Sequence, residues 1–146
     1  MSDTVVVGFI RTPEGEAAVG AAVEETRRRN GRLVVVHSTR GADRDADTVI
    51  ADREALEQLE QRLRSAGVEV AVHNFARGND PTEDLIDVAE AEQAALIVIG
   101  LRRRSPVGKL LLGSNAQQIL LTADCPVLAV KAGPNVSDLV GIQGIQ

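Results

Sequence analysis

Short apolar runs dominated by β-branched residues recur along the chain, at Val5 to Ile10, Leu33 to Val36, Leu96 to Ile99 and Val127 to Val130. Longer stretches with helical spacing separate them. The first three runs lack the in/out alternation of a half-buried strand, which is the pattern of strands covered on both faces in a parallel sheet. A fifth run, Val68 to Val72, does alternate, as an edge strand would.

The intervening stretches carry helix signals. Thr12-Pro13 opens a segment with Ala17, Ala18, Ala21 and Ala22 on one face, closing near Asn30-Gly31. A second begins near Asp45 or Asp47, places Ala55, Leu56, Leu59 and Leu63 at spacings of three and four, and ends at Ala66-Gly67. Asp80-Pro81-Thr82-Glu83 starts a third, with Asp80 as N-cap, Pro81 at the first helical position and Glu83 able to reach back. Ser114 starts the fourth, through Ile119 and Leu120.

Strands alternating with helices call for right-handed βαβ crossovers, hence an α/β protein with an open five-stranded parallel sheet, doubly wound with four helices. Ligands of such sheets bind outside the carboxyl ends of the strands, where strand order reverses. The loops after Phe9, Val36, His73 and Ile99 are therefore where function is expected. A length of 146 residues suits one core. The domain is expected over residues 1–132, with residues 133–146 as a C-terminal tail.

Composition narrows the partners. Twenty-one acids against 16 bases give a net charge of −5, which disfavours general attraction to nucleic acid or anionic membrane. The apolar runs are far shorter than the roughly 20 residues needed to span a bilayer. With a single cysteine, Cys125, and no secretory pattern at the start, a cytoplasmic protein is expected.

Against that acidic background, Gln93 to Ala123 contains no acid, while Arg102, Arg103, Arg104 and Lys109 fall inside it. This basic stretch follows the fourth strand at Gly100 and leads to Gly113-Ser114, where a helix starts. Helix N–H groups, a close-approaching glycine and a serine hydroxyl suit a phosphate. Equally, three arginines in a loop form a solvated face, and Gly113-Ser114 serves as a plain cap. Gly108-Lys109 is followed by Leu110 and has no glycine five residues before it, so it is not a P-loop. No Gly-x-Gly-x-x-Gly follows the first strand either.

The placement of these residues resembles the universal stress protein family. That family's nucleotide motif is glycine, two residues, glycine, nine residues, glycine, then serine or threonine, between the fourth strand and fourth helix. Gly100, Arg103, Gly113 and Ser114 occupy those positions, followed by Cys125-Pro126-Val127-Leu128-Ala129-Val130-Lys131, similar to the family's closing strand. The resemblance runs from Val5 to Lys131 and implies strand order 3-2-1-4-5, a Rossmann-like fold of the adenine nucleotide alpha hydrolase-like kind.

It further implies an adenine nucleotide site, for ATP or AMP, with any Mg²⁺ arriving only with the nucleotide. The residues it places there are Phe9, Ile10, Ser38, Gly78, Gly100, Arg102, Arg103, Gly113, Ser114 and Asn115. Two depart from the family pattern. Ile10 stands where nucleotide-binding members carry an aspartate near the adenosine, a loss of about 1–3 kcal/mol, or roughly tenfold to a hundredfold in affinity. Arg103 replaces a glycine, and either crowds the phosphates or supplies a charge-assisted hydrogen bond. The family commonly dimerises through its last strand, which implies a homodimer through Pro126 to Lys131, with the tail adding contacts through Leu139, Val140, Ile142 and Ile145.

No catalytic constellation stands out. His37 and His73 are the only histidines, each at a predicted strand end, where they satisfy loop backbone. No metal-ligand spacing is present. Cys125 reads as a buried small hydrophobe, Ser114 as a binding residue, and Asp43, Asp45, Asp47 and Asp52 as a solvated helix beginning. The expected function is a non-catalytic, nucleotide-responsive stress sensor or regulator. The alternative is a homodimeric scaffold that has lost nucleotide binding. An ATP hydrolase ranks last, since the basic loop offers no acid to hold Mg²⁺.

Overall fold

The structure is a computed structural model that describes residues 3–39, 45–76, 80–101 and 113–132. In chain order the elements are β1 (Thr4–Gly8), α1 (Pro13–Arg28), β2 (Arg32–Ser38), α2 (Ala46–Ser65), β3 (Val70–Phe75), α3 (Pro81–Ala91), β4 (Leu96–Leu101), α4 (Ser114–Thr122) and β5 (Val127–Lys131). The five strands form one parallel sheet in the order β3-β2-β1-β4-β5. This is the order implied by the resemblance. Order reverses between β1 and β4, so their carboxyl ends mark the switch point.

Each face of the sheet buries its own apolar layer. Val5, Val7, Leu33, Val35 and Val98 meet Ala18, Val19 and Ala22 of α1 and Leu56, Leu59 and Leu63 of α2. Val6, Val34, Val36, Ile97 and Ile99 meet Leu85, Ile86, Val88 and Ala89 of α3 and Ile119 of α4. Sequential valines of β1 therefore point into opposite layers, which is why the run does not alternate.

Helix ends follow their side chains. Thr12 Oγ1 accepts from the Gly15 N–H at 3.1 Å, Asp45 Oδ1 from Thr48 at 2.7 Å and Asp80 Oδ1 from Thr82 at 2.9 Å. Helices α1, α2 and α3 close with left-handed residues at Asn30, Gly67 and Gln93. In each case the next N–H reaches back: Gly31 to Thr26, Val68 to Leu63 and Ala94 to Ala89.

Strand limits differ from the expected ones. β1 stops at Gly8 rather than Ile10, although the Phe9 N–H still donates to Val36 O at 2.9 Å. β3 runs over Val70–Phe75 rather than 68–72, because the Val68 N–H is used in closing α2 at Leu63 O. His73 consequently lies inside β3 opposite Val36, and His37 inside β2 opposite Asn74. β3 is an edge strand, as its alternation implied. No helix among the described residues is long and apolar enough to cross a membrane.

Candidate functional site

At the switch point a cleft opens between α3 and α4, above the carboxyl ends of β1, β2 and β4. Gly8, Val36, Leu85, Ile99 and Ile119 form its apolar surface, and Ser38 and Asn115 supply side-chain polarity. The described walls enclose about 150 Å³, less than the roughly 300–1,000 Å³ of pockets that hold a whole drug-sized ligand. That is room for part of such a ligand, with the remainder lying along the open side.

Five of the residues singled out from sequence, Phe9, Ile10, Ser38, Gly100 and Asn115, come together on this cleft. Phe9 is buried, whereas Ile10 is 47% exposed at the lip. Gly113 is the N-cap of α4 and Ser114 its first residue; glycine offers no side-chain acceptor, so no side-chain hydrogen bond caps this helix. Its amino end faces outward as a cluster of donors with a positive dipole, suited to an anion. Gly78, Arg102 and Arg103 lie outside the described residues, as does the tail at 133–146.

Two glycines are needed for packing at this end of the sheet. A Cβ at Gly15 would stand 1.9 Å from the Ile10 carbonyl oxygen, and one at Gly100 would stand 2.4 Å from the Glu14 carbonyl oxygen. The first turn of α1 thus sits directly on the cleft-forming loop and on β4. Gly100 is required by α1, whatever occupies the cleft.

Sequence reasoning missed several buried polar groups. Asp84, 1% exposed on α3, accepts a hydrogen bond from Ser38 Oγ. Thr82, on α3 beside the cleft, is 2% exposed, and its buried hydroxyl oxygen has no hydrogen-bond partner among the described residues. The available signal was spacing: Thr82 stands three and four residues before Leu85 and Ile86, on the apolar stripe of α3.

Asp52 corrects the expectation of a solvated acid. It is buried, with Oδ1 accepting from Arg11 Nε at 2.6 Å and Oδ2 lying 3.3 Å from His37 Nε2. His37 Nδ1 is 2.9 Å from the Phe9 carbonyl, to which it donates. The expectation that His37 satisfies loop backbone holds, with Asp52 as an added neighbour. The cluster ties the β1–α1 connection to α2, on the far side of the sheet from the cleft. Of the other acids expected at this helix beginning, Asp45 is the N-cap and Asp47 is exposed, while Asp43 lies outside the described residues.

His73 stacks on Phe75 at 5.8 Å along β3. Cys125 is half-buried rather than buried, and partial burial pushes its thiol pKa upward. No group of three or more metal-ligating side chains occurs among the described residues.

Comparison with known proteins decides the lineage. The Universal stress protein family model matches residues 1–131. The chain belongs to the universal stress protein family. A universal stress protein from Mycolicibacterium smegmatis is 42% identical over 127 residues, covering 87% of this chain and 96% of that protein. The structure of a universal stress protein from Archaeoglobus fulgidus superposes with a TM-score of 0.76 at 36% identity, covering 90% of this chain and 99% of the other. A universal stress protein from the same organism, solved in complex with dAMP, gives a TM-score of 0.71 at 30% identity, with coverage of 90% and 98%. In this universal stress protein, Gly100 lines the cleft and Gly113 is the N-cap of α4.

Proposed function

We propose that this universal stress protein is a non-catalytic adenine-nucleotide sensor or regulator of the cytoplasm. The observation carrying the reading is the switch-point cleft, whose apolar interior leads to the side-chain-uncapped amino terminus of α4. A base fits the first and a phosphate the second. The dAMP complex of the 30%-identical Archaeoglobus fulgidus relative supports the same ligand class. The residues assigned to the ligand are Phe9, Ile10, Ser38, Gly78, Gly100, Arg102, Arg103, Gly113, Ser114 and Asn115, for ATP or AMP, with Mg²⁺ only as the nucleotide's companion. A non-catalytic role is supported by the burial of His37, whose nitrogens face Phe9 and Asp52 instead of the cleft.

The chain acts as a homodimer in this reading, joined through Pro126 to Lys131. Edge strand β5 pairs on one side with β4, and Leu128 is 37% exposed on it. Leu128→Asp should convert the dimer to monomer by light scattering; an unchanged dimer refutes this interface.

With no Trp, no Tyr and two Phe, the protein absorbs little in the near ultraviolet, so bound adenine would dominate at 260 nm. The expected result is a nucleotide spectrum from purified protein, or a rise in melting temperature with millimolar AMP or ATP. Failure of both leaves the scaffold reading, which the exposed Ile10 at the cleft lip favours.

A further inference from the structure

We infer that His37 is a buried imidazolium that latches the β1–α1 connection to α2, and that loss of its proton as pH rises frees the lip of the cleft. The link to ligand binding rests on the nucleotide reading above.

Hydrogen-bond polarity sets the charge. His37 is 4% exposed, so its ring nitrogens must find their partners within the protein. Nδ1 is 2.9 Å from the Phe9 carbonyl oxygen, which can only accept, so Nδ1 carries a hydrogen. Nε2 lies 3.3 Å from Asp52 Oδ2, and the other oxygen of Asp52 takes Arg11 Nε at 2.6 Å, an ion pair that keeps the carboxyl ionised. A ring protonated at Nδ1 alone would turn a bare nitrogen onto that carboxylate, acceptor against acceptor. A second hydrogen at Nε2 removes the conflict and leaves a cation held between two acceptors.

Two effects oppose this charge: burial, and the like charge of Arg11 on the far oxygen of the same carboxylate. The Asp52 oxygen at 3.3 Å and the Phe9 carbonyl at 2.9 Å are the nearer neighbours, both bonded to the charged form, and they prevail. Strand β3 sets uncharged Asn74 opposite His37, and α1 turns Ala18 and Val19 to the same face of the sheet.

The latch acts on the cleft through one peptide group. The carbonyl that His37 holds joins Phe9 to Ile10, and both residues line the cleft. Arg11, next in the chain, is tied to α2 through Asp52. The β1 ladder has ended at Gly8, so side-chain and turn contacts place this lip, and a proton can change them. A folded His37 that keeps its proton where a free histidine has released it stabilises the closed lip fully below about pH 6.5. That stabilisation is lost as pH rises through the release from the folded protein. A lip already fixed costs a ligand less to order, so binding should weaken over the same step.

His37 and His73 are the only histidines, so His73→Gln leaves one imidazole to follow by nitrogen NMR. At pH 7.5 both its nitrogens should report N–H, with a ratio of imidazolium to neutral ring about tenfold above the roughly 1:10 of a free histidine. The backbone amides of Phe9, Ile10 and Arg11 should shift with the same midpoint, and Asp52→Asn should move proton release to lower pH. AMP affinity should fall about fivefold between about pH 7 and 9, a range in which the phosphate keeps its charge, and Asp52→Asn should flatten that dependence. A neutral ring at pH 7.5, lip amides that ignore the titration, or proton release unmoved in Asp52→Asn overturns the latch. AMP bound equally well across that range overturns its coupling to the cleft. Failure of AMP to bind at any pH overturns the nucleotide reading instead, and the NMR titration still decides the latch.

Discussion

Gly100→Ala separates a glycine kept for a ligand from a glycine kept for the fold. The added methyl would lie 2.4 Å from the Glu14 carbonyl oxygen, whereas ordinary contact begins at 3.4 Å, so α1 and β4 must separate by about 1 Å. The neighbour is backbone in the first turn of a packed helix, and no rotamer change relieves the clash. Overpacking of this kind costs about 1–3 kcal/mol, which for a domain near this size lowers the melting temperature by about 2–4 °C per kcal/mol. The assay is circular dichroism at 222 nm on ligand-free protein. Gly20→Ala provides the control: it sits in α1, where an added Cβ meets nothing within 4 Å, and should stabilise by about 0.5–1 kcal/mol. The same substitution thus acts with opposite sign at two positions. A Gly100→Ala protein that melts as wild type but loses nucleotide affinity would refute the packing argument and return Gly100 to the ligand.

Asp52→Ala should destabilise by about 1–2 kcal/mol in urea unfolding: His37 loses the carboxylate facing Nε2, while Arg11, 43% exposed at its side chain, turns to water at little cost. Unchanged stability would show that the cluster contributes nothing. Gln93→Gly should stabilise by about 1 kcal/mol in the same assay, because Gln93 holds φ at 52° in the left-handed region where side chains clash; a loss of stability would refute this. Cys125 should react with a disulfide reagent more slowly than a small free thiol at neutral pH and accelerate as pH rises, since burial raises its pKa and depletes the thiolate. A rate at or above the free thiol's would contradict it.

Local chemistry is what the sequence carried well. β-branched runs, the caps at Thr12, Asp45 and Asp80, and the stops at Asn30-Gly31 and Ala66-Gly67 all act within a few residues, so α/β class, helix starts and strand number were legible in order along the chain. The switch-point rule pointed to the loops after Phe9, Val36 and Ile99, because a parallel sheet brings carboxyl strand ends together, and the family resemblance then placed Phe9, Ile10, Ser38, Gly100 and Asn115 at one site.

What tertiary structure alone decided were the pairings between elements distant in sequence. Asp52 looked like one more acid at a helix start, and became a buried partner only when α2 laid it against His37 and Arg11, 41 residues away. Gly100 looked like a ligand glycine alone, and the tertiary structure added a packing role, because the Glu14 backbone of α1 presses on it. Asp84 and Thr82, both buried on α3, carry no motif that singles them out along the chain. Burial changes the sign of such residues' contributions, because a group cut off from water must find a protein or ligand partner, and which partner stands opposite is set by packing, not by neighbours in the chain.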